Sequence, residues 1–572
     1  MSDENRLDRL SSMLRRRGIV LPSFEIYGGV AGLVDYGPVG ARLKRKVNDA
    51  WIEHWSKISN VVEVDSPTIT PESVLVASGH VGEFNDLMSE CKKCGSIFRS
   101  DHLLSGLHPN PDSLSSEEID VEIAEGGVKC DGCGSTEWKG SSPMNLMFGT
   151  QIGAMGKGRV AYMRPETAQG MFMLYPSLFR HFRQKLPFGA IQTGKGYRNE
   201  ISPRQGMIRL REFSMAEMEY FIDPEDPPCP DLAACTSEVT LVPDPDGGNP
   251  SEIAMSIADA WREGIVKHPT VAWFIAMTHE FLVNVGIDQS KMRFRQHAST
   301  EMAHYAADCW DCELHGEYGW VEVVGIANRT CHDLESHEVG SGSGQLRGWR
   351  KFEEPRSETR EILSPIGAVV GPAFKQRAAA VSEALSEMAV APKDVPFNLK
   401  LKDGSEVEVT AEMFERRVED VTIHGEFFTP HVIEPAFGID RIIWHILDHG
   451  FKEMEKGGEN YTILSLPEAV APIDIVVLPL FDKDGMGDLS REIHQSLVSI
   501  TGLRAELDTS RSIGRRYARA DEIGVPWAIT IDHESIEDGT VTVRRRDDQR
   551  QVRTELGPLL ESIAKGTIDV LF

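Results

Sequence analysis

Three stretches of this chain gather side chains that could act on a charged ligand. The first runs Tyr197-Arg198-Asn199-Glu200, crosses a polar loop, and returns as Arg209-Leu210-Arg211-Glu212-Phe213 through Glu217 and Glu219. Alternate residues of a β-strand share a face. Arg198 and Glu200 are therefore expected to point together, as are Arg209, Arg211, Phe213, Glu217 and Glu219. Such a face is either an exposed hairpin open to water or a surface built around a charged ligand. The second stretch is Glu434-Pro435-Ala436-Phe437-Gly438-Ile439-Asp440-Arg441. Glu434, Ala436 and Gly438 share a strand face, and small residues there let something approach closely. Ile439, Ile442, Ile443, Ile446 and Leu447 then follow at helical spacing. Arg441 falls at the start of that helix, near its partly positive end, a place suited to anions. An ordinary strand–helix junction would read the same way. The third stretch holds Cys91-x-x-Cys94 and Cys130-x-x-Cys133, each pair followed by glycine. That spacing suits a four-thiolate zinc site; reduced, metal-free cysteines in a mobile insertion are the alternative.

The elements that must position these residues can be read more coarsely. A helical stretch from Val47 to Ile58 runs into the strand-like Val61-Val62-Glu63-Val64 and ends at Pro67. Residues 91–133 form an acidic insertion bracketed by the cysteine pairs, and 223–250, rich in Pro and Asp, read as a surface insertion. Residues 223–290 and 335–430 are taken as larger insertions into a unit spanning 1–471. From 472 onward the pattern changes to a buried strand at 473–478, a helix at 489–500, a helix at 514–523, a strand at 527–531 and a hairpin near Val541. This alternation predicts a small α/β domain over 472–572.

A chain of 572 residues exceeds one compact core. Sixty basic residues against 88 acidic ones give a net charge of −28. That argues against a nucleic-acid partner overall, although binding depends on local clusters. The polar start, with Asp3, Glu4 and Asp8, has neither the apolar core of a signal peptide nor the pattern of a transit peptide, so the expected address is the cytoplasm. In that setting nine cysteines with two close pairs point to metal before disulfides. Cys309, Cys312, Cys331 and His332 could form a second cluster, but they are read as packing residues. His297 and His304 are read as packing or hydrogen-bonding groups.

Taken together, these segments resemble class II aminoacyl-tRNA synthetases. Arg198-Asn199-Glu200, the loop, and Arg209-x-x-x-Phe213-x-x-x-Glu217 resemble motif 2; Gly438 to Arg441 resembles motif 3; the helix and strand ending at Pro67 resemble motif 1. Within that class the likeness is to glycyl-tRNA synthetases of the archaeal and eukaryotic type. It rests further on Arg164-Pro165-Glu166-Thr167-Ala168-Gln169-Gly170, Phe294 to His297, Glu301 to Tyr305, Gly319 to Glu322, Gly325 to Arg329 and Val432 to Arg441. The C-terminal match runs through Ser512 to Tyr517, Gly524 to Pro526 and Gly539 to Arg546.

The resemblance implies an antiparallel sheet flanked by helices with large insertions, followed by an α/β anticodon-binding domain. It implies activation of glycine with ATP and transfer to tRNA(Gly) by a homodimer. ATP would be held by Arg198, Asn199, Glu200, Arg209, Leu210, Phe213, Glu322, Val323 and Arg441, with Arg198 and Arg441 catalytic and Glu322 a Mg²⁺ ligand. Glycine would be held by Arg99, Glu166, Glu217, Glu434, Ala436 and Gly438; the family usually has Ser where this chain has Ala436. Cys91, Cys94, Cys130 and Cys133 would hold zinc. Arginines near 511–519 and 544–553 would meet the anticodon stem. A non-catalytic binding protein on this scaffold, or a synthetase for proline or threonine, are the other readings.

Overall fold

The computed structural model describes residues 5–572, apart from 105, 109–110, 112–113, 155–156, 202, 204–205, 229–231, 245–250, 299–306, 389–391, 457–458 and 501. The segment Glu301 to Tyr305, with His304, lies outside the described residues. Among those described, no helix is long and apolar enough to cross a membrane.

A nine-stranded sheet organises the first compact unit, 1–346 with 430–572. In chain order its strands are β1 (Val61–Glu63), β2 (Phe188–Tyr197), β3 (Glu212–Ile222), β4 (Glu238–Val242), β5 (Ile253–Ser256), β6 (Met292–Gln296), β7 (Asp308–Gly316), β8 (Gly319–Thr330) and β9 (His431–Gly438). They lie in the order β5-β4-β6-β7-β8-β9-β3-β2-β1. Only the β1–β2 and β4–β6 pairs are parallel. β4 corrects the reading of 223–250 as surface: Val239, Leu241 and Val242 are buried, so the strand extends the sheet.

Side-chain parity divides the sheet into two faces. Ala216, Met218, Tyr220 and Ile222 of β3, with Ile433 and Phe437 of β9, join the main core. Helices that close that core include α1 (Pro38–Trp55), α2 (Pro269–Asn284) and α3 (Ile439–Gly450). Trp51 and Trp55 of α1 both meet the Phe437 ring edge-on at 5.7 Å, a favoured aromatic geometry. α1 starts nine residues before the expected Val47 because Pro38 sits in its first turn, where its missing N–H costs nothing. The opposite face packs a second cluster, Phe188, Ala190, Phe221 and Val432, under the helices Ala168–His181 and His332–Ser341. The odd residues of β3 and the even residues of β9 and β2 therefore share this second face, which carries the charged groups.

The C-terminal strands form a separate five-stranded sheet: β10 (Ile475–Pro479), β11 (Ala505–Leu507), β12 (Trp527–Ile531), β13 (Thr540–Arg545) and β14 (Gln551–Glu555), in the order β11-β10-β12-β13-β14. The helices Met486–Val498 and Ile513–Glu522 flank it. Lys46 and Arg42 of α1 tie to Asp474 at 2.6 Å and Glu506 at 2.9 Å.

The second compact unit spans 347–429. A long ribbon pairs Gly348–Pro365 with Phe414–Phe428. Two helices and a hairpin supply its own core, which includes Leu363, Val381, Leu385 and Val409. The insertion expected from 335 begins later: the helix His332–Ser341 belongs to the first unit, where Leu334 is buried in one cluster with Phe172 and Phe221.

Candidate active site

Four neighbouring strands, β8, β9, β3 and β2, build the site. The register sets Glu217 opposite both Gln192 and Ala436, Met215 opposite Gly438, and Ala436 opposite Gly325. Phe213 lies across Gly196; a Cβ there would sit 2.6 Å from the ring, so glycine is needed for this approach.

One expectation needs correction. β2 ends at Tyr197 and β3 begins at Glu212, so Arg198, Asn199, Glu200, Arg209 and Arg211 lie outside regular strands. The Arg198 N–H still donates to the Arg211 carbonyl at 2.9 Å, but the chain then turns through the short helix Gly206–Ile208, whose Met207 and Ile208 are buried. Arg211 leaves the shared face. Its guanidinium donates to the backbone carbonyls of Glu200 and Ala31, both at 2.9 Å. Phe213, Glu217 and Glu219 keep the expected alternation.

A pocket of about 150 Å³ is lined by Arg198, Glu200, Arg209, Leu210, Phe213, Glu217, Glu322, Val323, Ala436, Gly438 and Arg441. The Arg198 guanidinium lies between the rings of Phe84 and Phe213, 5.3 and 5.4 Å from their centroids. Its Nε is buried with no hydrogen-bond partner among the described residues. Arg441, in the first turn of α3, donates from Nη1 to the Glu322 carbonyl at 2.7 Å and from Nε to the Ile208 carbonyl at 3.0 Å. Next to it Asp440 accepts from the Ser214 N–H and from the Tyr36 hydroxyl, locking α3 onto β3. Asn199 is held through its N–H, which donates to the Leu146 carbonyl at 2.7 Å.

Glu217 also belongs to a buried cluster of acids. Glu217 Oε2 accepts from the Thr167 N–H at 2.7 Å and from the Thr167 hydroxyl. Glu434 Oε2 accepts from Arg329 Nη1 at 2.8 Å. Glu166 Oε1 accepts from Gln169 at 2.8 Å, and its Oε2 lies 3.5 Å from His80 Nε2. Burial pushes the Glu166 carboxyl up, but His80 and Arg329 outweigh it and hold the group below its ordinary range. Burial, then Glu434 and Glu166, push Glu217 up to about 8. Burial likewise raises Glu434, against the pull of Arg329. Arg99 stands apart from these three glutamates: it pairs with Asp86 at 2.9 Å and Asp101 at 2.7 Å, near Glu200.

The four cysteines come together as their spacing predicts. The Sγ pairs Cys91–Cys133 and Cys94–Cys130 are both 3.6 Å apart, and all four sulfurs lie within 4.8 Å. The two turns repeat one geometry: the Gly95 N–H donates to Cys91, the Gly134 N–H to Cys130, and both glycines have φ of 72°. The second set does not assemble as a four-ligand site among the described residues. Cys312 is in the main core, and Cys309 groups with His297 and Asp311 instead. His297 hydrogen-bonds Asp311 at 2.7 Å.

Residues 474–565 match an anticodon binding domain family. Over 96% of its length the chain is 44% identical to the glycine–tRNA ligase of Methanothrix thermoacetophila, and it covers 95% of that protein. It is 43% identical to the glycine–tRNA ligase of Methanothermobacter thermautotrophicus, with 98% of each chain covered. The one from Methanocaldococcus jannaschii is also 43% identical, with 97% of this chain and 98% of that one covered. The chain belongs to the glycine–tRNA ligase family. Among solved structures, Giardia lamblia prolyl-tRNA synthetase in complex with prolyl-adenylate has the same fold, with a TM-score of 0.52 at 13% identity over 99% of this chain and 80% of that one. The class II architecture expected from the sequence is thus present in this glycine–tRNA ligase family member.

Several residues of the site carried no role in the sequence reading: His80, Thr167, Arg329, Asp333 and Asp440. The available signal was charge balance. Glu166, Glu217 and Glu434 on one buried face need cations or donors close by, and Arg329 lies within the family segment beginning at Gly325. In the C-terminal sheet the expected arginine surface is reduced. Arg516 donates to the Leu480 carbonyl, Arg544 forks onto Asp521 at 2.9 and 2.8 Å, and Arg546 donates to the Gly524 and Leu466 carbonyls at 2.8 Å. These three are buried, whereas Arg511 and Arg515 are exposed.

Proposed function

We propose that this pocket runs the two steps of glycine charging. A glycine carboxylate oxygen attacks the α-phosphorus of ATP; an O–P bond forms, the bond to pyrophosphate breaks, and glycyl-adenylate results. A hydroxyl of the terminal ribose of tRNA(Gly) then attacks the glycyl carbonyl, loses its proton, and AMP leaves. The attacking carboxylate is already a nucleophile, so the work is positioning and charge stabilisation. Arg198 stabilises the α-phosphate, and its planar fork suits phosphate oxygens. Arg441 meets the outer phosphates at the start of α3, where the helix end favours anions. Phe213 stacks on the adenine, with Asn199, Glu200, Arg209, Leu210 and Val323 completing the nucleotide wall. Glu322, exposed at the pocket rim beside Arg441, would hold Mg²⁺, which neutralises phosphate charge when bound.

Glu166, Glu217 and Glu434 receive the glycine ammonium, and Arg99 contributes from the Glu200 side. Ala436 and Gly438 form the wall against larger side chains. One observation carries the reading: Arg198, Arg441 and Glu217 line a single pocket, so phosphate-binding and ammonium-binding groups meet there.

The Cys91, Cys94, Cys130 and Cys133 thiolates hold a structural zinc ion. Sulfurs 3.6 Å apart fit a tetrahedron with Zn–S bonds of about 2.3 Å. Residues 1–471 form the catalytic part and 472–572 the tRNA-reading part, where exposed Arg511 and Arg515 meet the RNA backbone. The protein works in the cytoplasm as a homodimer through the motif 1 region, the helix and strand that end at Pro67.

Glycine-dependent ATP–pyrophosphate exchange tests the proposal, with wild type beside Arg198→Ala and alanine, serine, proline and threonine as rivals. Exchange with glycine alone, lost in the variant, is expected. No exchange with any amino acid from folded, zinc-replete protein would overturn it.

A further inference from the structure

Glu219 is fully buried, and neither of its carboxyl oxygens has a hydrogen-bond partner among the described residues. The β3–β9 register, which pairs Glu217 with Ala436 and Tyr220 with Ile433, brings Glu219 directly across from Glu434. A carboxyl oxygen from each of Glu217, Glu219 and Glu434 lies within 4.8 Å of the others. Like charges facing each other across a strand pair are destabilising.

Each neighbouring acid has its own donors: Glu217 has Thr167, Glu434 has Arg329, and Glu166 has Gln169 and His80. Asp333, on the helix His332–Ser341, is held by Arg329. β2 presents only uncharged Ala190 and Gln192 on this side. Five carboxyl groups thus share Arg329, His80 and, on the Glu217 side, Arg164 as cations. An ionised carboxyl without a donor costs the most in such a place. A proton on this cluster therefore belongs first on Glu219, with Glu217, raised to about 8, holding the next.

We propose that Glu219 is the proton seat of the amino-acid pocket: it stays protonated while the pocket is empty and releases its proton to solvent when an ammonium group settles against Glu217 and Glu434. The step is balanced, because the entering ammonium supplies one positive charge and the departing proton removes one. This inference rests on the glycine-binding reading above. It is consistent with the direction of the Glu219 shift, well above the ordinary range through burial first and Glu434 second. Because binding expels a proton, glycine affinity rises with pH through neutrality.

Isothermal calorimetry of glycine binding to the full-length protein, in two buffers of different ionisation enthalpy, counts the protons. Wild type is expected to release at least one proton per glycine near neutral pH, from Glu219 with a share from Glu217, by linkage. Glu219→Gln, which keeps shape and removes the Glu219 proton, is expected to release fewer, only the Glu217 share, with a flatter affinity profile from about pH 6 to about pH 8. Glu219→Met, apolar and of similar volume, carries the same expectation. No proton release by wild type, or equal release by the variants, overturns the proposal while leaving the glycine site standing. Absence of glycine binding to wild type overturns the reading of the pocket itself.

Discussion

Arg329 bridges two elements that meet nowhere in sequence. Its Nη1 donates to Glu434 Oε2 on β9 at 2.8 Å, while Nε and Nη2 grip Asp333 at 2.7 and 3.0 Å. All three residues are buried. Removing one partner leaves an uncompensated charge, which typically costs about 3–5 kcal/mol. Arg329→Gln is therefore expected to destabilise the first unit by that order, read as a lower urea midpoint, and to weaken glycine binding. Arg329→Lys should recover only part, because an ammonium cannot span both acids. A glutamine variant as stable as wild type would refute the bridge.

Arg198 has a different task, and its substitution should have a different signature. It is held by the rings of Phe84 and Phe213 rather than by acids. Arg198→Lys keeps the charge and loses the fork, so the expected loss is about 10²-fold in kcat for pyrophosphate exchange, the scale of one lost transition-state donor. Glycine KM and thermal stability should stay near wild type. A rise in KM with unchanged kcat would move Arg198 out of the phosphate site.

Metal analysis of the purified protein should find about one zinc per chain, as four thiolates take up one ion. Cys130→Ser, or prolonged chelation, should remove it and destabilise residues 85–145, read by hydrogen exchange, since metal affinity there is folding energy. Full protection without metal would show the cysteines to be simple packing residues.

The proton on Glu217 gives stability a pH dependence of known sign. Its carboxyl is raised to about 8 in the folded protein, against roughly 4.3 in an unfolded chain. The contribution is complete below the unfolded value and is lost as pH rises toward the folded one. Glu217→Gln has nothing to lose there. Denaturation midpoints should therefore shift in favour of the variant between about pH 5 and about pH 8. A gap that moves the other way would rule out a raised Glu217.

Much of this site was readable in one dimension because its information is local. Small residues alternating at Glu434, Ala436 and Gly438, followed by isoleucines at helical spacing, specify β9 and α3 directly. Cysteine spacing did the same for the four-sulfur cluster. The alternation through Arg198 to Arg211 failed because the buried turn at Met207 and Ile208 interrupts the strands. Arg329 and His80 are not legible there because Glu434 and Glu166, the acids they meet, are distant in sequence and their value depends on burial. The same holds for Arg516, Arg544 and Arg546, whose clustering looks like an RNA surface until Asp521 and the carbonyls of Leu480, Gly524 and Leu466 are found beside them.

The ribbon of the second unit begins with the rungs Gly348–Phe428 and Trp349–Phe427, so the chain enters and leaves that unit through one doorway. β8 and β9, hydrogen-bonded neighbours carrying Arg329 and Glu434, are separated in sequence by a whole folded guest. Because the doorway is only one strand pair wide, the guest adds length to the chain without adding distance between its hosts. Evolution can enlarge, trim or exchange it while the glutamates keep their places, and a short graft joining 346 to 430 is the corresponding engineering route to a smaller protein.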